Sequence, residues 1–180
     1  MEKLLDKKAV RLTKEAAFVL VTVICAVVLP QIFHAAGVIF GIGGALGQIF
    51  LPMYIPVLIF GFYRGPVSGA VAGLLAPLAS FAVTSMPSAA LLPFITLELI
   101  ATGLLAGVLA ASKLPAIVRV LAVQVGAKIV RIAALAISLY AANGAVSASA
   151  LFAGILTSVP GVILQLVIVT LLIVKKEKNA

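Results

Sequence analysis

The sequence predicts an all-α membrane protein, a bundle of six transmembrane helices with both termini in the cytoplasm. Hydrophobic residues make up 64% of the chain and charged residues only 10%, and the mean hydropathy is +1.32. A soluble domain is about 45–50% apolar and about 25% charged. Because a helix needs about 20 apolar residues to cross a bilayer, the chain has room for about six spans in a single integral membrane domain.

The placement of the basic residues predicts the topology. The net charge is +8, and Lys and Arg concentrate in the leading segment 1–14, in the tail 175–180 and in the connections at Arg64 and Lys113. The other predicted connections contain no Lys or Arg: 34–50, 85–91 and 141–149. Since cytoplasmic loops are enriched in Lys and Arg, the basic segments are expected on the cytoplasmic side. This placement favours contact with anionic lipid headgroups over binding to nucleic acid.

The first span is predicted from about Glu15 to Phe33, after a basic helical segment at the membrane surface. Its apolar run lacks a convincing small-residue cleavage site, so a retained helix is expected rather than a signal peptide. Thr22 and Ala26 form a small-xxx-small pair, which favours the close approach of another helix, with chance in an Ala/Val-rich helix as the alternative. The uncharged, Gly-rich segment 34–48 predicts a re-entrant loop or a mobile lid.

Helices 2 and 3 are predicted in an apolar stretch that prolines and glycines interrupt. Their expected bounds are Leu51 to Tyr63 and Gly65 to Ser85. In the second of these helices Gly65, Gly69 and Gly73 recur every four residues. This spacing predicts a face that packs closely against another helix of the bundle or against a partner protein.

The remaining spans carry the charged residues of the membrane interior. They are predicted at Leu92 to Ala111, Ala116 to Ala141 and Ala150 to Val174. A charge at the bilayer centre costs on the order of 2.5–3.5 kcal/mol, so these side chains are expected to face the bundle interior, a cavity or one another. Gln124, Lys128 and Arg131 share one face of helix 5 and form a polar stripe. Glu98 on helix 4 is the available acidic partner.

Two cations opposite one carboxylate leave a surplus positive charge. Such a surplus predicts an anionic or carboxylate-bearing ligand, because Lys and Arg are the side chains that bind these groups. The alternative role is structural. Lys128, Arg131 and Glu98 would then fix the helix packing, or the two cations would extend to a membrane interface.

The sequence contains no arrangement typical of an enzyme. It has no nucleophile–base pair, no paired carboxylates, no HExxH and no Walker motif, so an ATPase or a hydrolase is not expected. The single His34 has no Cys, Asp or Glu neighbours and Cys25 is the only cysteine, so no metal site, cofactor or internal disulfide is predicted. Two functional classes remain: a binding module for uptake, and a stand-alone secondary transporter with Glu98 as coupling group. The absence of visible inverted repeats makes the second less attractive.

One part of the sequence resembles a known family. The run GQIFLPMYIPVLIFGFYRGPVSGAVAGLLAPLASFAVTSMP and the later FITLELIATGLLAGVL are similar to the substrate-binding S components of energy-coupling factor (ECF) vitamin transporters. That group includes pantothenate- and folate-type members. The pattern LPM-x-IPVL-x-x-G-F-x-x-GP-x-x-G carries the resemblance, which covers helices 2 to 4.

The resemblance implies a six-helix bundle in a prokaryotic cell membrane that binds a vitamin or related small molecule from outside. It implies docking on a transmembrane T component and two ATP-binding subunits, and toppling of the S component in the membrane to release its substrate. It also implies a substrate site formed by two loops and by helices 4 to 6. The corresponding positions here are Gln48, Tyr54, Ser80, Thr84, Glu98, Lys128, Arg131 and Asn143.

The sequence departs from the family pattern at two places. Tyr54 stands where many relatives of this group have His after LPM. The Ala-xxx-Ala docking motif of helix 1 corresponds here to Thr22-xxx-Ala26. The face formed by Gly65, Gly69 and Gly73 is a further candidate for partner docking.

Overall fold

The computed structural model describes residues 2–43, 45–141 and 156–179, and the regular structure within them is helical throughout. The helices are α1 (Glu2–Ile39), α2 (Ala45–Phe50), α3 (Tyr54–Arg64), α4 (Pro66–Thr84), α5 (Leu92–Leu109), α6 (Ala116–Ala141) and α7 (Val159–Lys178). Five of them are long and apolar enough to cross a membrane. The chain is therefore a multi-pass, all-α membrane protein.

Of the six predicted spans, five correspond to described helices that are long enough to cross a membrane. The candidate spans are Ala9–Ile39, Pro66–Thr84, Leu92–Leu109, Ala116–Ser138 and Val159–Lys178. Predicted helix 2 corresponds to α3, which has only 11 residues. Such a helix is about 16 Å long, against a hydrocarbon core of about 30 Å. It begins at Tyr54 rather than at Leu51, because Leu51 adopts a left-handed φ of 46° and ends the preceding helical segment.

The prediction of a loop over 34–48 is wrong for most of its length. The first helix continues to Ile39, and α2 begins at Ala45. The interruption between them lies at Gly41 and Gly43, whose φ values of 72° and 57° are left-handed and favour glycine. The glycines therefore mark a short turn between two helices and not an extended loop.

The later helices agree with the sequence prediction. The bounds of α6 are those predicted, and those of α4 and α5 differ from the prediction by a few residues. Gly65, with φ 94°, makes the tight connection from α3 to Pro66, which occupies the favourable first position of α4. The predicted connection 141–149 and the predicted start of helix 6 fall almost entirely outside the described residues.

Backbone contact between α4 and α5 explains the spacing of the glycines on α4. A Cβ atom on Gly69 would lie 2.3 Å from the carbonyl oxygen of Gly103, and one on Gly73 would lie 2.2 Å from that of Leu99. The close packing predicted for this face is therefore present, and the neighbour is a helix of the bundle. Gly69 and Gly73 are buried there and do not form a free docking face, while Gly65 lies in the turn.

The small-xxx-small pair of α1 is also buried inside the bundle. Thr22 and Ala26 are 7% and 0% exposed. Ala26 packs in a cluster with Tyr54 of α3, Ala76 of α4 and Leu99 of α5. The pair thus lets α3 and α4 approach α1, and it is not exposed to a partner in this structure.

Arg64, Arg119 and Lys176 lie at one end of the bundle, which we call the basic end. Arg64 pairs with Glu15, the Arg64 Nε lying 3.2 Å from Glu15 Oε2, and this contact joins α3 to α1. Arg119 pairs with Glu177 and joins α6 to α7. The basic segments predicted to share one side of the membrane therefore meet at one end of the molecule. The turn after α1, helix α2 and the start of α7 lie at the opposite end.

Candidate ligand-binding site

Glu98 is the centre of a buried charged cluster. Its side chain is only 1% exposed. Tyr54 Oη donates to Glu98 Oε2 over 2.7 Å, and Arg131 NH1 donates to the same oxygen over 3.0 Å. Lys128 Nζ lies 2.7 Å from Oε1. Helices α3, α5 and α6 thus supply what we call the Glu98 cluster: Tyr54, Glu98, Lys128 and Arg131.

The local sequence explains how these groups converge. Lys128 and Arg131 are three positions apart on α6 and point to the same side. Tyr54 is the first residue of α3, so its ring projects from the end of that helix toward α5. The Lys128 ammonium nitrogen lies 5.6 Å from the centroid of the Tyr54 ring, within the range of a cation–π contact. The tyrosine therefore contacts both signs of charge.

The Glu98 cluster carries one more positive than negative charge. Arg131 is 8% exposed and the Lys128 side chain 17% exposed, so both cations are largely removed from water. The Nε of Arg131 has no hydrogen-bond partner within the described residues. A buried cation without full compensation is costly, so the cluster has capacity for a further anionic group or a polar acceptor.

Two buried amides extend the polar region toward α7. Gln124 Nε2 donates to the carbonyl oxygen of Val162 over 3.2 Å, and Gln165 Nε2 donates to that of Leu51 over 3.2 Å. The Oε1 of Gln124 has no partner among the residues described. These contacts connect α6, α7 and the turn before α3 with neutral hydrogen bonds, and they leave one acceptor free.

A small cavity lies between the Glu98 cluster and the two glutamines. Its lining includes Tyr54, Glu98, Lys128, Gln124 and Gln165, together with apolar side chains. Its volume is about 10 Å³, which is the space that one water molecule needs. Pockets for drug-sized ligands have volumes of about 300–1,000 Å³. A ligand of vitamin size therefore enters only if the surrounding helices separate.

The predicted substrate-binding residues fall into three groups in the structure. Four of them form the Glu98 cluster. Ser80 and Thr84 lie on α4, where the Thr84 hydroxyl donates to the Ser80 carbonyl oxygen over 2.7 Å, and neither residue lines the cavity. The side chain of Gln48 and the whole of Asn143 lie outside the part of the chain that the structure describes.

The structure adds polar groups that the sequence prediction did not include among the site residues. Gln165 is 2% exposed and lines the cavity. Its only signal in the sequence is an amide in the middle of an apolar span. The Leu51 carbonyl oxygen reaches it because of the left-handed backbone at Leu51, for which the sequence gives no signal. Thr102 also lines the cavity, and its hydroxyl donates to the Glu98 carbonyl oxygen over 2.8 Å.

Comparison of the chain with models of known protein families, with characterised proteins and with solved structures gives no match.

Proposed function

We propose that this chain is a membrane-embedded binding subunit for a small anionic molecule, the S component of an ECF-type importer for a vitamin or related compound. The observation that carries the proposal is the surplus positive charge of the Glu98 cluster, buried between α3, α5 and α6. The resemblance over helices 2 to 4 indicates an ECF-type transporter. The surplus positive charge indicates an anionic ligand.

A ligand carboxylate fits the free donors of this cluster. The Arg131 guanidinium has an unused Nε, and the Lys128 ammonium has hydrogens beyond those directed at Glu98. One carboxylate placed between them brings the net charge of the site to zero and forms charge-assisted hydrogen bonds. The free Oε1 of Gln124 accepts from a hydroxyl or amide on the same ligand. A pantothenate- or folate-like molecule carries both kinds of group.

We expect the cavity to open where the first half of α7 meets α6 and the turn before α3, while the Arg119–Glu177 pair holds the other end of α7 in place. The neutral hydrogen bonds of Gln124 and Gln165 hold this side together. Such bonds contribute about 1 kcal/mol each, whereas separating a buried ion pair costs several times more. We therefore expect the Glu98 cluster to stay assembled while the first half of α7 moves away from it.

The orientation follows from the positive-inside rule. The basic end faces the cytoplasm, and the Glu98 cluster lies closer to the opposite face, since Glu98 is about 9 Å along α5 from its start at Leu92. The ligand is captured from outside, and a T component with two ATP-binding subunits supplies the energy. Thr22 and Ala26 of α1 and the glycines of α4 are buried. Docking on the T component therefore uses exposed apolar side chains of α1, such as Val21 and Ile24.

Loss of either cation is expected to weaken ligand binding without unfolding the protein. Arg131→Gln leaves Lys128 to balance Glu98, so the cluster becomes neutral and stays paired. The charge-assisted bonds to a ligand carboxylate contribute about 1.5–3 kcal/mol, so the variant should bind about 10- to 150-fold more weakly. Isothermal titration calorimetry with pantothenate and with folate on the purified chain measures this change.

Lys113→Gln provides the matched control, because it removes one cation from the connection between α5 and α6, outside the cavity lining. It should leave affinity unchanged, and a neutral amide analogue of the ligand should bind the wild type as weakly as the acid binds Arg131→Gln. Unchanged affinity in both Arg131→Gln and Lys128→Gln would assign the polar stripe to helix packing alone.

The transport class is tested separately by uptake into proteoliposomes. Native mass spectrometry of the purified chain first identifies any ligand that co-purifies with it. That compound should then enter vesicles only when the T component and the ATP-binding subunits are present. Uptake by the chain alone, driven by a proton gradient and abolished by Glu98→Gln, would instead establish a stand-alone secondary transporter.

A further inference from the structure

A second cavity lies at the basic end, remote from the Glu98 cluster. Its volume is about 130 Å³. Helices α3, α6 and α7 supply most of its lining: Phe62, Tyr63, Arg119, Ile173, Lys176 and Glu177. It is smaller than the pockets of about 300–1,000 Å³ that enclose organic ligands, so it suits one small polar group. Nothing in the proposed function uses it.

Arg119 is the buried charged group of this cavity. Although the residue is only 4% exposed, its guanidinium is incompletely satisfied. NH1 donates to the carbonyl oxygen of Ala110 over 3.3 Å, and NH2 pairs with Glu177. The Nε has no hydrogen-bond partner among the described residues. A buried guanidinium with an unused donor indicates a site for an acceptor, because desolvated N–H groups are costly when they are left unpaired.

Lys176 adds a second cation at the rim. Its Nζ donates to the carbonyl oxygen of Phe62 over 3.4 Å and lies 4.3 Å from the centroid of the Tyr63 ring. An ammonium carries three donors, so others remain for a ligand. With Arg119 and Lys176 positive and Glu177 negative, the lining has a surplus of one positive charge.

The cavity is apolar on its inner side and cationic at its rim. Phe62 and Ile173 are 5% and 3% exposed, whereas Tyr63 is 42% exposed and has the amphipathic ring typical of a membrane interface. Neighbouring positions on the same helices carry exposed apolar side chains, Val118 next to Arg119 on α6 and Val174 next to Ile173 on α7. This arrangement matches a molecule with a charged head and hydrocarbon chains.

We propose that the basic-end cavity binds the phosphate group of an anionic phospholipid. The Arg119 fork and the Lys176 ammonium contact the phosphate oxygens, and the acyl chains lie against the exposed faces of α6 and α7. Basic pockets between spanning helices are the kind of site that takes lipid headgroups. A free phosphate ion has the same oxygen chemistry, but it makes no use of the apolar surface beside the cavity.

Native mass spectrometry of the purified chain, titrated with phosphatidylglycerol in a non-ionic detergent, tests the proposal. Lys176→Gln should weaken phosphatidylglycerol binding about fivefold, the effect of one basic residue at a membrane surface. Lys178→Gln makes the same charge change on α7 without lining the cavity, so it should bind as the wild type does. Glu177→Gln releases the Arg119 guanidinium and should tighten binding by a similar factor.

Four results would overturn the proposal. Equal losses in Lys176→Gln and Lys178→Gln would show only general attraction of the basic tail for anionic lipid. Weaker binding by Glu177→Gln would show that Arg119 does not contact the lipid. Displacement of the lipid by millimolar inorganic phosphate, or equal binding of phosphatidylcholine, would show that the cavity recognises a phosphate ion or no charge at all.

Discussion

Glu98→Leu is expected to lower the free energy of unfolding by about 3–5 kcal/mol, because the change leaves two buried cations without a counter-charge. In the wild type the carboxylate accepts from Tyr54 and Arg131 and pairs with Lys128. Leucine has a similar volume but offers no acceptor, so all three partners lose their contact at once. Unfolding in mixed micelles of dodecyl maltoside and sodium dodecyl sulfate, followed by circular dichroism, measures the difference.

The matched control is Glu15→Leu. Glu15 also pairs with an arginine, Arg64, but the two side chains are 27% and 31% exposed. A partly exposed pair contributes about 0–1 kcal/mol and the hydrogen bond that Ser68 donates to Glu15 about 1 kcal/mol, so this variant should lose at most about 2 kcal/mol. If Glu98→Leu cost no more than Glu15→Leu, the description of a buried, charge-coupled cluster would be wrong.

A third variant separates stability from function. When Glu98→Leu is combined with Lys128→Met and Arg131→Met, no charge remains, and most of the lost stability should return, because apolar replacements of buried ion pairs are often neutral or stabilising. Binding of a carboxylate ligand should nevertheless be lost, because both cations that bind it are absent. Recovery of stability together with loss of binding would mean that the cluster serves the ligand. A triple variant as unstable as Glu98→Leu would mean that it serves the fold.

The ion pairs of Glu98 were predictable because the membrane limits the alternatives. Lys128 and Arg131 share a helix face, lipid excludes both, and Glu98 is the acidic residue in the interior of the predicted spans. The involvement of Gln165 was not predictable in the same way. A single amide in an apolar span does not indicate which helix it meets, and its partner is a backbone carbonyl at Leu51 that no side-chain pattern marks.

Helix bounds were likewise predictable where the local sequence determines them, and not where tertiary contacts do. The bounds of α6 followed from a long apolar run between a proline and a small polar segment. The clustered glycines of segment 34–48 predict a loop, but among the described residues of this segment only Gly41 and Gly43 have the left-handed backbone that ends a helix. The start of α3 differs from the predicted one because Pro52 is compatible both with a turn and with the first turn of a helix.

The glycine face on α4, which includes Gly69 and Gly73, was predictable only in part. Its spacing correctly predicted close packing, but the sequence left open whether a helix of the bundle or a partner protein lies against it. The structure places Gly103 of α5 against Gly69 of α4, and each backbone occupies the volume that a Cβ atom of the other would need. This reciprocity makes the position of α5, and hence of Glu98, depend on the absence of side chains at the contact.

Gly103→Ala is therefore expected to destabilise the protein by about 3 kcal/mol, at the upper end of the cost of overpacking. The new Cβ would lie 2.0 Å from the Gly69 carbonyl oxygen and 2.3 Å from its carbonyl carbon. Both atoms belong to a helix backbone, so no rotamer change relieves the overlap and the two helices must move apart. Ligand affinity should fall as well, since α5 carries Glu98. The same detergent unfolding measurement and the same calorimetric titration test both effects.

Gly126→Ala is the control that separates overpacking from the general effect of adding a methyl group to a membrane helix. Among the described residues, a Cβ atom there would approach only Leu105 Cδ1, at 2.7 Å, and this is the end of a flexible side chain that can turn aside. Since alanine is favoured over glycine in a helix by about 1 kcal/mol, Gly126→Ala should be neutral or slightly stabilising. Equal stability of Gly103→Ala and Gly126→Ala would show that α4 and α5 are not in backbone contact. The position of Glu98 would then have to depend on its ion pairs alone.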